Sequence, residues 1–147
     1  MDQHASGLAD DRPPHASWHD HLVLLLHVGA EIEHGLMLQY LYAAYSIDAD
    51  GAPPQWRPAF QRWQTSILAT AREEMGHLVT VQNVLALLGA PPNLRRRSFP
   101  WDVDHYPFPF CLEPFSESSV AVYLFTEMPS DEELRAAPRK PAPGGTV

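Results

Sequence analysis

Glu74 and His77 stand three residues apart in AREEMGHL, residues 71–78, a stretch otherwise suited to a buried helix. On a helix, that spacing puts the carboxylate and the imidazole on neighbouring positions of one side. At 100° per residue, Phe60, Trp63, Ile67, Thr70, Leu78, Val81, Leu85 and Leu88 fall within about 40° of Glu74, so the carboxylate sits mid-stripe on an apolar face with His77 at its edge. A second stripe, Leu22, Leu26, Gly29, Met37, Tyr40, Ala44 and Ile47, has Glu33 near its centre. An isolated carboxylate in an apolar seam is costly or takes up a proton, and a divalent cation compensates it well. Hard carboxylate oxygen with imidazole nitrogen suits iron or manganese, and zinc less selectively. Glu33, Glu74 and His77 are therefore the candidate metal ligands.

Spacing alone is a weak signal, because Glu and His three apart also form ordinary surface pairs. Glu31 and His34 have the same spacing but lie roughly 100° to 160° from Glu33, beside His27, and are expected on a partly exposed ion-pairing face. Glu73 points off the seam and is expected in solvent. Tyr40 has two compatible roles, a core aromatic whose hydroxyl needs a partner, and a hydrogen-bond donor to a metal-bound carboxylate. His4, His15, His19, His21, His27 and His105 share no spacing with an acid on a core face and are expected at solvent-facing or structural positions. The single cysteine, Cys111, excludes an intramolecular disulfide and a cysteine-based zinc cluster, and reads as a small core residue.

The elements that must position these groups are helices. Residues 1–16 are polar, contain Pro13-Pro14, and read as a loose arm. Ser17 followed by Asp20 resembles a capping box, and the first long helix runs from there to Ile47, where DADGAPP stops it. The second begins near Trp56, with Pro58 tolerable in its first turn, and ends at Leu88 before Gly89 and Pro91-Pro92. Helices of about 30 residues, about 45 Å long, with a short connection pack as an antiparallel hairpin. From Pro91 the texture turns to proline and aromatics, which suits an extended arm, and Ser116 to Met128 can form one short helix stopped by Pro129. The expected class is all-α, with one domain over 17–130 and a frayed tail over 131–147.

Ten basic against eighteen acidic side chains, net −8, argue against nucleic acid or an anionic membrane as the partner. Apolar runs such as Leu22 to Leu26 are far shorter than the roughly 20 residues of a membrane span. The acidic start lacks the basic and apolar regions of a secretory signal, so a soluble, cytoplasmic protein is expected.

IEHGLMLQYLYAAYSI followed by ILATAREEMGHLVTVQNVLALLGAPP resembles the first helix pair of ferritin-like proteins, including the Glu33 to Tyr40 spacing of seven. With YPFPF, EPFS and FTEMP further on, residues 20 to 130 resemble the ferritin-like domain of iminophenyl-pyruvate dimer synthases. That resemblance implies metal ligands Glu33, Glu74 and His77 and an iron-dependent oxidative coupling of aromatic 2-imino acids, as in violacein-type and rebeccamycin-type bisindole biosynthesis. It leaves Glu127 without a defined role. A dinuclear site in a four-helix bundle takes two helices with Glu and two with Glu-x-x-His, and this chain supplies one of each. The far side of the first helix, Leu24, Leu38, Tyr42 and Tyr45, is also apolar and needs a cover. A homodimer would double the ligand set; a second hairpin from a longer protein would do the same. The match of the arm to a family whose members continue past it favours a truncated or partial chain. The alternatives in function are a non-catalytic hairpin that binds a partner, and simple iron binding.

Overall fold

The computed structural model describes residues 13–101 and 107–128. It is all-helical: α1 spans Trp18–Ser46, α2 Arg57–Leu87 and α3 Glu117–Thr126, and among the described residues the only extended pairing is an isolated antiparallel bridge, Trp101 with Phe110. The chain divides into two compact units, Met1–Pro114 and Phe115–Val147, a division that falls inside the expected 17–130 domain. The expected tail over 131–147 and most of the N-terminal arm, with His4, lie outside the described residues, as does His105.

In the first unit, α1 starts as the sequence predicts. Ser17 Oγ accepts from Asp20 N at 3.1 Å, and Ser17 N donates back to Asp20 Oδ2 at 3.2 Å, which satisfies two amides that a helix start otherwise leaves unpaired. After α1, the turn is closed by Gly51 N donating to Asp48 Oδ1 at 2.8 Å. Pro58 sits in the first turn of α2, where its missing N–H costs nothing. Gly89 ends the helix region with φ +74°, the left-handed conformation that glycine adopts without a Cβ penalty.

The two long helices are antiparallel. His19, at the start of α1, places Nε2 3.1 Å from the Leu88 carbonyl oxygen just past the end of α2. At the other end, Gln64 Nε2 donates to the Ala44 carbonyl at 3.1 Å. Between these ties, Ala30, Ala44 and Ala71 are wholly buried, so small side chains let the backbones approach, and Leu78 and Leu85 fill the seam further along. The expected stripes are buried at Tyr40, Ala44 and Ile47 and at Glu74, Leu78 and Leu85. Towards the starts of the two helices they are not: Leu22 and Trp63 are exposed although they lie on the same stripes.

An irregular arm follows α2 and lies on the side of α1 turned away from Glu33. Asn93 is its anchor: buried, it donates from Nδ2 to the His27 carbonyl at 3.0 Å, while its own N–H and C=O pair with the side-chain amide of Gln82 at 2.8 and 2.7 Å. Arg97 Nε meets Glu31 Oε2 at 2.8 Å, and its guanidinium lies over the Trp101 ring. Trp101 in turn packs on Gly35, where a Cβ would lie 3.0 Å from the ring. Gln39 Nε2 donates to the Cys111 carbonyl at 2.8 Å, and the Cys111 side chain is half-buried.

The second unit contains α3, capped by Ser116 and Ser119, whose side chains each accept from the other's backbone N–H at 3.2 and 2.9 Å. Ser119 and Tyr123 are buried; Glu127 is the exposed C-cap.

By length and composition, α1 is apolar enough to cross a membrane, with mean hydropathy 1.2 over 18 residues, more than the short Leu22–Leu26 run suggests. Its middle nevertheless carries Glu31 and Glu33, costly in hydrocarbon, and in this fold Glu31 pairs with Arg97 of the arm and Glu33 approaches His77 across the hairpin. We read α1 as a bundle helix.

Candidate metal centre

α1 and α2 bring the three expected residues together. Glu33, Glu74 and His77 each offer a ligand atom, and these atoms lie within 4.8 Å of one another. His77 Nδ1 is 3.0 Å from Glu74 Oε2 on its own helix and 3.4 Å from Glu33 Oε2 across the seam. The Glu74 side chain is 6% exposed, Glu33 24% and His77 59%, so the group is rooted in the core and open on the imidazole side.

Glu33 Oε2 is buried and has no hydrogen-bond partner. A buried, unsatisfied carboxylate oxygen beside a second carboxylate is what a cation would relieve. Burial first, then the hydrogen bond and repulsion from Glu74, push the Glu33 carboxyl from 4.5 up to about 7. The hydrogen bond to Glu74 holds His77 above its ordinary value, reinforced by the charge of Glu33. Two oxygens and a nitrogen from rigid helices, with one side open, can hold a metal ion and leave positions for a further ligand.

The remaining candidates separate from this group. Tyr40 is buried on α1 two helical turns beyond Glu33. Glu31 belongs to the arm: Arg97 holds its carboxyl below the usual range, with Asn93 adding a weak contact at 3.4 Å. His34, of the second Glu-x-x-His match, is half-buried with Nδ1 lacking a hydrogen-bond partner, as is His21 Nδ1. Glu73 is exposed as expected. Asn93, Gly35 and Gln39, which seat the arm, were not singled out in the sequence. An Asn directly after Pro91-Pro92 looks like an ordinary turn residue, and its role depends on contacts with α1 more than 60 residues away.

Residues 26–144 match the ferritin-like family. Dichlorochromopyrrolate synthase from Lentzea aerocolonigenes is 35% identical over 129 residues, covering 74% of this chain and 13% of that protein. The 2-imino-3-(indol-3-yl)propanoate dimerase from Chromobacterium violaceum is 33% identical over 132 residues, covering 71% of this chain and 13% of that protein. The chain thus spans a small part of the length of these relatives. No solved structure matches it significantly.

Proposed function

The chain belongs to the ferritin-like family, and from that premise we propose that it binds iron at Glu33, Glu74 and His77 in the service of oxidative coupling of two aromatic 2-imino acids. The observation that carries the metal reading is the convergence of the three groups with Glu33 Oε2 buried and without a hydrogen bond. The coupling chemistry rests on the similarity to the synthase and the dimerase. Manganese is the second choice for the same donor set.

Bound iron would supply one-electron redox chemistry and a position for dioxygen or a peroxide. The coupling removes one hydrogen from each imino acid and joins the two carbons, and two electrons and two protons pass to the oxidant. The chain's own residues hold and orient. Glu74 fixes the His77 ring through the 3.0 Å contact, and Glu33 gives up its proton as a cation arrives. The hydroxyl of Tyr40, two turns along the same stripe, is the candidate hydrogen-bond donor to a ligating carboxylate. The seam residues Leu78 and Ala71 keep water from the inner side of the site.

Elemental analysis of the purified chain, with Glu74→Ala and His77→Ala as controls, tests the metal reading. Iron near stoichiometric in the parent and lost in both variants is expected; equal iron in all three would sink it. A second reading, a non-catalytic hairpin that binds a partner, is favoured by the exposure of Leu24, Tyr42 and Tyr45, and it expects no metal.

A further inference from the structure

We propose that Gly29 is the specificity-determining residue of the centre: the space left by its missing side chain, beside Glu33 and His77, seats the aromatic ring of a 2-imino acid whose carboxylate end faces the ligands. The proposal rests on the reading that Glu33, Glu74 and His77 bind metal in the service of coupling such acids.

The apolar stripe of α1 has a gap. Gly29 stands one turn before Glu33 and about 40° from it around the helix, whereas Leu22 and Leu26 fill the preceding stripe positions with large side chains. A Cβ at Gly29 would meet nothing within 4 Å, although the residue is half-buried. Gly35 on the same helix is explained by packing, since the Trp101 ring occupies the room a side chain would need. No such contact explains Gly29. Glycine inside a helix weakens it relative to alanine, so this one costs stability with no contact to offset it.

The gap lies at the ligands. The ties from His19 to Leu88 and from Gln64 to Ala44 set the pairing of the antiparallel helices, and that pairing puts Gly29 level with Leu78, next to His77. His77 lies about 60° from Glu74, on the flank of the seam that Gly29 shares, and it is exposed there. The space therefore opens beside the group on the side from which it can be reached.

The chemistry of this flank selects the occupant. Leu25, one turn before Gly29, is exposed, and Val81, one turn after His77, is half-buried, so the gap continues into an apolar trough. α1 carries no Lys or Arg, and Arg57, Arg62 and Arg72 of α2 all lie about 100° or more from Glu74. A carboxylate therefore finds no fixed cation in the trough, and only a metal held at the centre offers one. A ring in the trough with its acid end at the centre satisfies both halves of the molecule.

The test uses the full chain loaded with Mn(II), and the stable 2-oxo acids indole-3-pyruvate and pyruvate as probes. Calorimetry gives the affinities, and broadening of the probe's proton signals by the metal reports proximity. The parent is expected to bind indole-3-pyruvate more tightly than pyruvate by roughly tenfold or more, with its ring protons broadened. Gly29→Leu is expected to hold Mn(II) as the parent does and to lose that preference. Gly29→Ala, which adds one carbon, is expected to melt above the parent with chelator and to keep only part of the preference. No preference in the loaded parent, or the same preference in loaded Gly29→Leu, overturns the proposal and leaves the metal reading intact. Should Gly29→Leu take up no metal, a loaded Gly29→Ala with the full preference overturns it instead. A lower Tm in Gly29→Ala overturns it as well, because something then packs at that position. A parent that binds no Mn(II) overturns both readings.

Discussion

Glu33 Oε2 and His77 Nδ1 approach to 3.4 Å across the seam between α1 and α2, and the Glu33 oxygen makes no hydrogen bond there. The Glu33 carboxylate, buried beside Glu74, costs stability without a metal, and a bound cation lowers that cost. Stability without metal and affinity for metal should therefore respond oppositely to the same substitutions.

Without metal, stability should fall as pH rises through neutrality. Between 4.5 and about 7 the folded chain keeps a proton on Glu33 that the unfolded chain has lost, so each step up in pH favours unfolding. His77 adds in the same sense at higher pH: its stabilisation is complete below its unfolded value and is lost as pH passes its raised folded one. Asp20 and Glu31, held low chiefly by Ser17 and Arg97, act only in more acid solution. Thermal melts with chelator should give a lower Tm at pH 8 than at pH 5.5, and a higher Tm at pH 8 would contradict this account of Glu33.

Glu33→Gln removes the charge and keeps the shape. At pH 8 with chelator it should be at least as stable as the parent, by an amount on the order of 1 kcal/mol. With metal at about 100 times its Kd, the parent should gain about 2.7 kcal/mol, a rise of roughly 5–10 °C. The variant should gain little. A variant that is destabilised without metal yet keeps the full gain would argue that Glu33 is not a ligand.

The arm and the centre should be separable. Gly35→Val drives side-chain atoms into Trp101, which already lies 3.0 Å from where a Cβ would stand, and Asn93→Ala should cost about 1–3 kcal/mol by emptying a buried hydrogen-bond site. Both should speed tryptic cleavage at Arg95 to Arg97. Neither should change metal content, because the arm rests on the side of α1 away from Glu33.

Tyr40→Phe asks whether the hydroxyl supports the site or merely accompanies a core ring. The ring stays buried, so stability with chelator should drop by no more than about 1 kcal/mol. Metal affinity should fall by roughly 10–100-fold if the hydroxyl orients a ligand. Affinity equal to the parent's would reduce Tyr40 to packing.

Ser17 with Asp20, Pro58, Gly89 and Ser116 mark helix boundaries through chemistry confined to three or four residues, so the three helices were legible from sequence. Glu33, Glu74 and His77 were legible for a related reason: helical periodicity alone puts a costly group in the centre of each stripe. Exposure of Leu22 and Trp63 was not, because periodicity tells which side a residue faces and says nothing of how much lies opposite it. Asn93 and Gly35 were hidden for a different cause, since each matters through one partner far away in sequence.

Gln64 ties α2 to the end of α1, and that bond fixes where along the chain a change of length can be absorbed. One residue inserted among positions 51–55 enlarges a turn and leaves everything beyond Gln64 in place. One residue inserted between Gln64 and Glu74 rotates the rest of α2 by about 100°, carrying Glu74 off the seam to where exposed Met75 stands and His77 to where Leu78 stands, which breaks their pairing with Glu33. The hairpin tolerates an insertion at its tip and loses its chemistry from the same insertion three turns later, which makes a scan of single-codon insertions a map of which stretch of this chain measures distance.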